Sequence, residues 1–397
     1  MTSLPPLSIN DVWAAYLTNR GHSVTASTAI KVAAVVRCVD VVAKTMASLP
    51  LHLYKKDGDG RKKAETHRIY DLLHKLPNPE TTAYEFWHMY VFNLMLTPGA
   101  YAKIVRDQNG FIREIWNIPT ACVVPHRNAK TGERYIIVRA GDAQETLYDG
   151  YFMHTPGLRF FNPDTPEDPI RIAQDVLGLS MSLNEFAKLY FDQGSNLGGI
   201  LETPDTLSDT SYASLKDSWH KTYEGVVGQH KTAVLEAGVK FVPLGTDPEK
   251  SQALESRKFA VLEICRSFGV PPHKVFDLER ATFSNIEQQN IEYVQESISP
   301  MSVRIEQTIA KDLLTIPERK NYYAKFSVNA LLRGDSAARS AYYNQMRQSG
   351  VISANDIRAL EDMNPIPKDE GGDSLLVNGN MISLKNAEGN LPKSMQK

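Results

Sequence analysis

Residues 247–314 carry the sequence DPEKSQALESRKFAVLEICRSFGVPPHKVFDLERATFSNIEQQNIEYVQESISPMSVRIEQTIAKDLL, which predicts two helices joined by a short polar loop. The opening Asp-Pro-Glu is typical of a helix N-terminus, and the Gly-Val-Pro-Pro at 269–272 ends the first helix. The second helix is predicted to start at Ser284, a serine three residues ahead of a glutamate. Pro300 removes a backbone donor and is expected to kink this second helix.

The apolar residues of the two helices follow different patterns. In the first helix they fall at mixed spacings, so a single clean face is not predicted. After Pro300 they recur every fourth residue and predict one buried stripe: Met301, Ile305, Ile309 and Leu313. Patterning alone leaves the function open, because any pair of helices joined by a loop would show caps and an apolar stripe.

Five segments of this stretch carry a more specific signal: 257–259, 264–272, 284–289, 299–300 and 305–306. Their order and spacing resemble the signature run of the HK97-type tailed-phage portal proteins. The resemblance covers roughly residues 30 to 365. It implies that the first helix is a stem element, that the loop after it is a tunnel loop facing DNA, and that the second helix belongs to the wing.

Length and composition fit a globular protein of two or three domains. The chain has 397 residues, of which 42% are hydrophobic, and a formal net charge of −2. A charge so close to zero does not create the positive field that dominates tight nucleic-acid binding. This fits a conduit through which DNA slides, and it fits equally a protein that never touches DNA.

The three cysteines, Cys38, Cys122 and Cys265, are isolated and indicate buried free thiols in a reducing compartment. No spacing suits a metal site, so neither a metal nor a cofactor is expected. The N-terminus lacks a signal-peptide pattern, and no apolar run approaches the ~20 residues that cross a bilayer. We therefore expect a protein assembled in the cytoplasm, which the resemblance implies is that of a bacterial host, and no membrane partner.

The fold class that the resemblance implies is α+β, a portal fold with a β-rich wing, an α-helical stem, a small α/β clip and a helical crown. The chain would pass through these parts in a fixed order. The expected segments are a flexible arm (1–27), the wing (28–166), a stem helix (167–194), the clip (195–245), a second stem helix (246–270), the tunnel loop (271–284), a wing helix and strand (285–330), the crown helices (331–366) and a disordered tail (367–397).

Local patterns add detail within these segments. Residues 30–49 predict a helix with a wide apolar face, and residues 55–60 predict a turn. Short, closely spaced strands from about residue 97 to 154 are expected to form one antiparallel sheet. Residues 167–194 predict one long helix. In the clip we expect a strand at 198–202, a helix at 207–224, and a hairpin of 232–235 with 239–242.

The resemblance also implies two functional surfaces. The DNA-facing tunnel loop would present Glu279, Arg280, Ala281, Thr282, Phe283, Ser284 and Asn285. The clip would dock partner proteins through Lys216, Trp219, His220, Tyr223, Gln229 and His230. The loop and the helix after it carry an excess of glutamates, which would repel phosphates and lower friction on passing DNA, or would be no more than a solvated helix face.

No catalytic constellation is evident. The 225–232 segment resembles a P-loop, but His230 stands where the second glycine is needed, and the segment follows a helix instead of preceding one. A single histidine on a strand, such as His154, is more often structural than catalytic.

The predicted function is a portal protein that forms a ring of about twelve subunits at one capsid vertex of the virion. The expected partners are double-stranded DNA passing without base readout, the terminase large subunit, capsid and scaffold proteins, and head-completion or adaptor proteins. The alternatives are a nucleic-acid-processing enzyme, either a nuclease or an ATPase, and an interaction module that forms no ring.

Overall fold

The computed structural model describes residues 25–58, 60–159, 166–192, 199–203, 208–223, 239–243, 247–277, 283–328, 331, 336–361 and 363–376. Helices and antiparallel strands are mixed along these ranges, which confirms the α+β class. The α-helices are α1 (Ala26–Ala29), α2 (Ala33–Ser48), α3 (Arg68–His74), α4 (Ala83–Leu96), α5 (Pro169–Ile172), α6 (Gln174–Asp192), α7 (Asp209–Tyr223), α8 (Asp247–Phe268), α9 (Phe283–Tyr293), α10 (Ser299–Asp312), α11 (Glu318–Asn321), α12 (Ser336–Gln348) and α13 (Ala354–Leu360). The strands are β1 (Leu51–Asp57), β2 (Gly60–Lys63), β3 (Gly99–Arg106), β4 (Ile112–Ile118), β5 (Val123–Arg127), β6 (Arg134–Ala140), β7 (Ala143–Tyr148), β8 (Phe152–Pro156), β9 (Gly199–Glu202), β10 (Lys240–Pro243) and β11 (Tyr322–Phe326).

The strands from Gly99 to Pro156 belong to two sheets, so the prediction of one sheet was wrong. One sheet has the order β4-β3-β8 and the other β5-β6-β7. β8 occupies the edge of β3 that β4 leaves open, with Tyr101 opposite His154. A 3₁₀ turn, Thr120–Cys122, separates β4 from β5 and starts the second sheet.

A third sheet joins distant parts of the chain in the order β11-β1-β2. Leu51 of β1 lies opposite Phe326 of β11, while Lys55 pairs with Lys62 of β2. The turn expected at 55–60 is therefore shorter than predicted, because β1 stays extended to Asp57. Cross-strand pairing with β2 holds these residues extended.

The core is built on α2, which packs against α4 and α8. Its buried side chains recur at helical spacing and include Val35, Val39, Val42 and Met46. Burial of this face explains why the predicted helix forms, although it begins at Ala33 and not at residue 30.

The long helix expected at 167–194 is two helices, so that prediction was wrong in one respect. Asp168 caps the first, its side chain accepting from the Ile170 N–H. Ala173 then leaves helical geometry (φ −89°, ψ 10°), and α6 starts at Gln174. The first helix ends after one turn because the backbone at Ala173 departs from α-helical dihedral angles.

The central stretch follows the predicted order. Its first helix is α8, which ends at Phe268 and is followed by Gly269 in the left-handed region (φ +64°). Its second helix, α9, starts at Phe283, so Ser284 lies within it and the predicted start was one residue late. The irregularity expected at Pro300 takes the form of a π-helical turn, Val294–Ile298, in which the Ser299 N–H donates to the Val294 carbonyl.

The apolar stripe beyond this π turn is confirmed for three of its four residues. Ile305, Ile309 and Leu313 are buried, while Met301 is half-buried. α10 therefore lays one face on the core, and β8 and β11 both pack against it.

Within 195–245, β9 and β10 pair in antiparallel fashion, with Ile200 opposite Val242. The predicted 232–235 strand lies outside the described residues. The predicted helix at 207–224 is observed as α7.

Two compact units divide the chain, residues 1–327 and 328–397. In the second unit, Ser353 and Asp356 form a capping box at the start of α13. The Asn355 side chain donates to the Ile366 carbonyl and to Asp373. The described chain reaches residue 376, inside the expected tail; residues 377–397, like residues 1–24 of the expected arm, lie outside the described ranges.

Candidate functional site

The candidate site is the junction between α8 and α9, where the sequence predicts the tunnel loop. The described chain leaves α8 through Pro271 and a 3₁₀ turn, Pro272–Val275, and reaches Phe276 in the left-handed conformation (φ +67°). Phe276 is the non-glycine residue with positive φ in the described part of the chain, and its side chain is 75% exposed. Such a backbone is uncommon without glycine and needs support from its surroundings.

Arg37 of α2 supplies that support. Its Nε donates to the Lys274 carbonyl oxygen at 3.1 Å. Its guanidinium carbon lies 4.6 Å from the centroid of the Phe276 ring, within the range of a cation–π contact. One side chain therefore holds two positions of the turn that leads into the loop.

His273 connects this turn to α9. Its Nδ1 lies 2.7 Å from Gln289 Oε1, and its Nε2 lies 3.0 Å from Asn290 Oδ1. Both ends of the loop are therefore tied together by one imidazole, which bridges two amide side chains.

Lys274 and Tyr293 form a second connection. The Lys274 ammonium lies 5.2 Å from the Tyr293 ring centroid, and burial together with the neighbouring Arg37 lowers the pKa of Lys274. The Tyr293 hydroxyl donates to Thr45 Oγ1 at 3.2 Å, and burial raises its pKa to about 12. α9 is therefore anchored on α2 beside the loop.

Beneath these contacts, Cys38 of α2 meets Cys265 of α8, with the two sulfur atoms 4.0 Å apart. Both thiols are buried and free, as predicted, and so is Cys122. The hydrogen bond to Cys265 and burial raise the pKa of Cys38. Cys38 therefore packs as a buried thiol between α2 and α8.

Only part of the predicted tunnel loop is described. Glu279, Arg280, Ala281 and Thr282 lie outside the described residues. Phe283, Ser284 and Asn285 form the first turn of α9, and their side chains are not described. Further along, Glu292 and Glu296 are exposed.

The predicted docking residues are placed only by their backbone. Lys216, Trp219, His220 and Tyr223 are on α7. Gln229 and His230 lie outside the described residues.

His154 lies on β8, opposite Tyr101 of β3. It is buried and stacks on Tyr101 with ring centroids 4.2 Å apart. Burial lowers its pKa to about 3.

Within the described ranges, no group of three or more His, Cys, Asp and Glu side chains could hold a metal ion. None of the described helices is both long enough and apolar enough to cross a bilayer.

Comparison with known proteins identifies the fold. The crystal structure of an HK97 family phage portal protein from Corynebacterium diphtheriae superposes with a TM-score of 0.58 over 79% of this chain and 99% of that one, at 16% identity. A chain in the neck of a native gene transfer agent particle, computed with C12 symmetry, gives a TM-score of 0.59 over 90% of this chain and 100% of that one, at 17% identity. The fold is therefore that of the portal proteins.

Sequence comparison names the family. The phage portal protein family model matches residues 33–362. The probable portal protein of Streptomyces phage phiC31 is 30% identical over 361 residues, covering 87% of this chain and 78% of the relative. The portal protein of Enterobacteria phage HK97 is 29% identical over 355 residues, covering 87% and 81%. The chain belongs to the phage portal protein family.

The sequence alone does not predict Arg37 or its contacts. Arg37 is 237 positions from Lys274 in sequence, and it lies on the polar side of a helix whose apolar face was recognised. Nothing in its local pattern distinguishes it from a solvated arginine.

Proposed function

We propose that this chain is the subunit of a closed ring at one capsid vertex, through which the phage genome is packaged and later ejected. The observation that carries the proposal is the family match over residues 33–362. A fold shared with a neck chain computed with C12 symmetry supports a ring of about twelve copies. The function is then mechanical and electrostatic, and no reaction is catalysed.

In this ring the loop at 271–284 faces the channel, with Glu279, Arg280, Ala281, Thr282, Phe283, Ser284 and Asn285 nearest the DNA. The contacts of Arg37 and His273 support this role, because they fix the backbone on both sides of residues 278–282. A short segment with fixed ends can contact a passing backbone without reading bases. The exposed Glu292 and Glu296 on the helix side add negative charge, which would repel phosphates and lower friction.

The other segments keep the roles that the resemblance implies. The 195–245 clip docks the terminase large subunit during packaging and head-completion proteins afterwards, through Lys216, Trp219, His220, Tyr223, Gln229 and His230. The wing and crown meet capsid and scaffold proteins. The stem helices 167–194 and 246–270 connect the clip to the wing.

The ring is tested by the mass of the purified protein. Light scattering after size exclusion, with negative-stain images of the peak, should show a closed particle of about twelve copies with a central hole. A monomer that cleaves DNA or hydrolyses ATP would contradict the proposal and favour an enzyme. An open filament would contradict ring closure.

The channel loop is tested by packaging. The variant Glu279→Gln, Glu287→Gln, Arg280→Glu should change the rate of DNA packaging or the retention of packaged DNA while rings still form. The control Glu80→Gln, Glu133→Gln, Arg113→Glu makes the same net charge change at exposed positions elsewhere. Equal behaviour of the two variants would refute the assignment of the loop to the channel.

A further inference from the structure

A deep cleft lies away from the channel loop, between the β1–β2 hairpin, the start of α3, the β3–β4 turn and the residues that follow α10. Its volume is about 870 Å³. Among the described residues, eight lysines and arginines line it and only three acids. We call this the basic cleft; its excess of positive charge stands out in a chain whose net charge is −2.

The three acids of the basic cleft are already engaged. Asp149 pairs with Arg134 at 3.0 Å. Asp312 accepts the His154 backbone N–H at 3.0 Å, and its side chain is only 6% exposed. Glu318 accepts the Thr315 N–H at 2.8 Å. These carboxylates satisfy neighbours in the fold and leave other cations of the cleft uncompensated.

Five cations of the basic cleft have no acidic partner among the described residues: Lys55, Lys63, Arg68, Arg106 and Arg319. Two of the guanidinium groups are fixed by carbonyl oxygens. Arg106 donates to the Gly150 carbonyl through Nε at 3.0 Å, and Arg319 donates to the Leu314 carbonyl through Nε at 3.0 Å. Guanidinium groups that are held in place this way lose little freedom when they bind a carboxylate.

The lining of the basic cleft is partly apolar. Arg68 lies over the Phe111 ring, with its guanidinium carbon 3.6 Å from the ring centroid, and Phe111 is 44% exposed. Tyr322 and Ile112 also line the cleft. A DNA backbone offers phosphates and sugars but no large apolar side chains. A peptide with both acidic and apolar side chains matches the cations and the apolar wall together.

We propose that the basic cleft docks an acidic, partly apolar peptide segment of a partner protein, with its carboxylates on the five cations Lys55, Lys63, Arg68, Arg106 and Arg319 and an apolar side chain against Phe111. This chain does not itself supply such a segment from outside the described ends. Residues 377–397 contain three lysines and one glutamate, and residues 1–24 contain one aspartate. The inference goes beyond the proposed channel and clip, and it holds for a single chain whether or not a ring forms.

The test measures binding of a fluorescein-labelled synthetic peptide of alternating Glu-Glu and Leu-Phe pairs to the full-length protein by fluorescence anisotropy. In the variant Lys55→Gln, Lys63→Gln, Arg68→Gln, affinity should fall about tenfold, or about twofold for each exposed charge pair. The matched control Arg113→Gln, Lys130→Gln, Arg139→Gln removes three exposed cations outside the cleft and should change affinity less than twofold.

A charge-reversed protein variant, tested with a charge-reversed peptide, distinguishes loss of the binding site from loss of folding. The variant Lys63→Glu, Arg68→Glu should lose the glutamate peptide and gain binding of the analogue in which lysine replaces glutamate. Equal losses in the cleft variant and its control, or no binding of the peptide to the unmodified protein, would overturn the proposal. The proposal would also be overturned if a short DNA duplex bound the unmodified protein and lost that binding in the cleft variant, while the peptide did not bind.

Discussion

Arg37→Gln is predicted to loosen the 3₁₀ turn Pro272–Val275 that follows α8 without unfolding the protein. The substitution removes the Nε hydrogen bond to the Lys274 carbonyl and the contact with the Phe276 ring. A hydrogen bond from a charged donor contributes about 1.5–3 kcal/mol, and an exposed cation–π contact about 0.5–1 kcal/mol. Because the Arg37 side chain is 34% exposed, we take the lower end, about 2 kcal/mol in total.

The lost interaction energy should make local opening of the 3₁₀ turn more favourable. Its backbone bonds run from the Lys274 N–H to Pro271, from the Phe276 N–H to His273 and from the Asp277 N–H to Pro272. If opening becomes about 2 kcal/mol easier, hydrogen exchange at these amides should accelerate about 30-fold, at 1.4 kcal/mol for each factor of ten.

Native-state hydrogen exchange read by mass spectrometry, on peptides that cover residues 270–277, measures this. The control Arg266→Gln changes an exposed arginine in the last turn of α8 that pairs with Glu263, and exchange should stay within about twofold. Unchanged exchange in Arg37→Gln would refute the reasoning that Arg37 fastens this turn. Acceleration throughout α2 would instead show global destabilisation.

Two further predictions concern glycine packing and the pH dependence of stability. Gly99→Ala should lower the free energy of unfolding by about 1–3 kcal/mol in urea titrations, because its Cβ would lie 2.9 Å from His154 Nε2 and from the Thr155 carbonyl oxygen. Gly178→Ala, inside α6 with nothing within 4 Å of the new Cβ, should instead raise it by about 0.5–1 kcal/mol, and the same sign for both would contradict the packing argument. Burial lowers the pKa of His154 to about 3. Below about pH 6.5 this histidine is therefore protonated in the unfolded state and neutral in the folded state. As the pH falls further, His154 should lower the free energy of unfolding by about 1.4 kcal/mol per pH unit. Burial also lowers the pKa of His52 to about 4, which acts in the same direction. Urea titrations between pH 6 and 5 should show that the free energy of unfolding depends less steeply on pH in His154→Gln than in the unmodified protein. An unchanged slope would show that His154 is protonated in the folded state.

Local hydrogen bonding explains which elements could be predicted. Asp107 accepts from the Asn109 and Phe111 N–H groups, and Gly110 takes φ +81°, so the hairpin turn between β3 and β4 forms from adjacent residues. Thr82 caps α4 through a box with Glu85 three residues away. Such signals lie within a few positions of one another and survive in sequence alone.

Partner choice among strands could not be predicted, and the single expected sheet failed for that reason. β3 accepts β8 on its open edge although four strands intervene in sequence, and β1 pairs with β11 across most of the first unit. Each strand pattern specifies which face is apolar, but several edges would satisfy its backbone equally well. The break at Ala173 escaped for a related reason, because alanine is the strongest helix former and the turn there tightens only in its tertiary setting.

The sequence by itself determined the family, the helices α8 and α9 on either side of the polar loop, and the irregularity ahead of Pro300. These rest on caps, breakers and apolar spacing within short windows, where the backbone has few alternatives. Only the tertiary structure decided that Arg37 holds Lys274, and that Lys63, Arg106 and Arg319 line one cleft. Polar side chains leave no periodic trace in sequence, because what they contact depends on which distant surfaces the burial of apolar faces brings together.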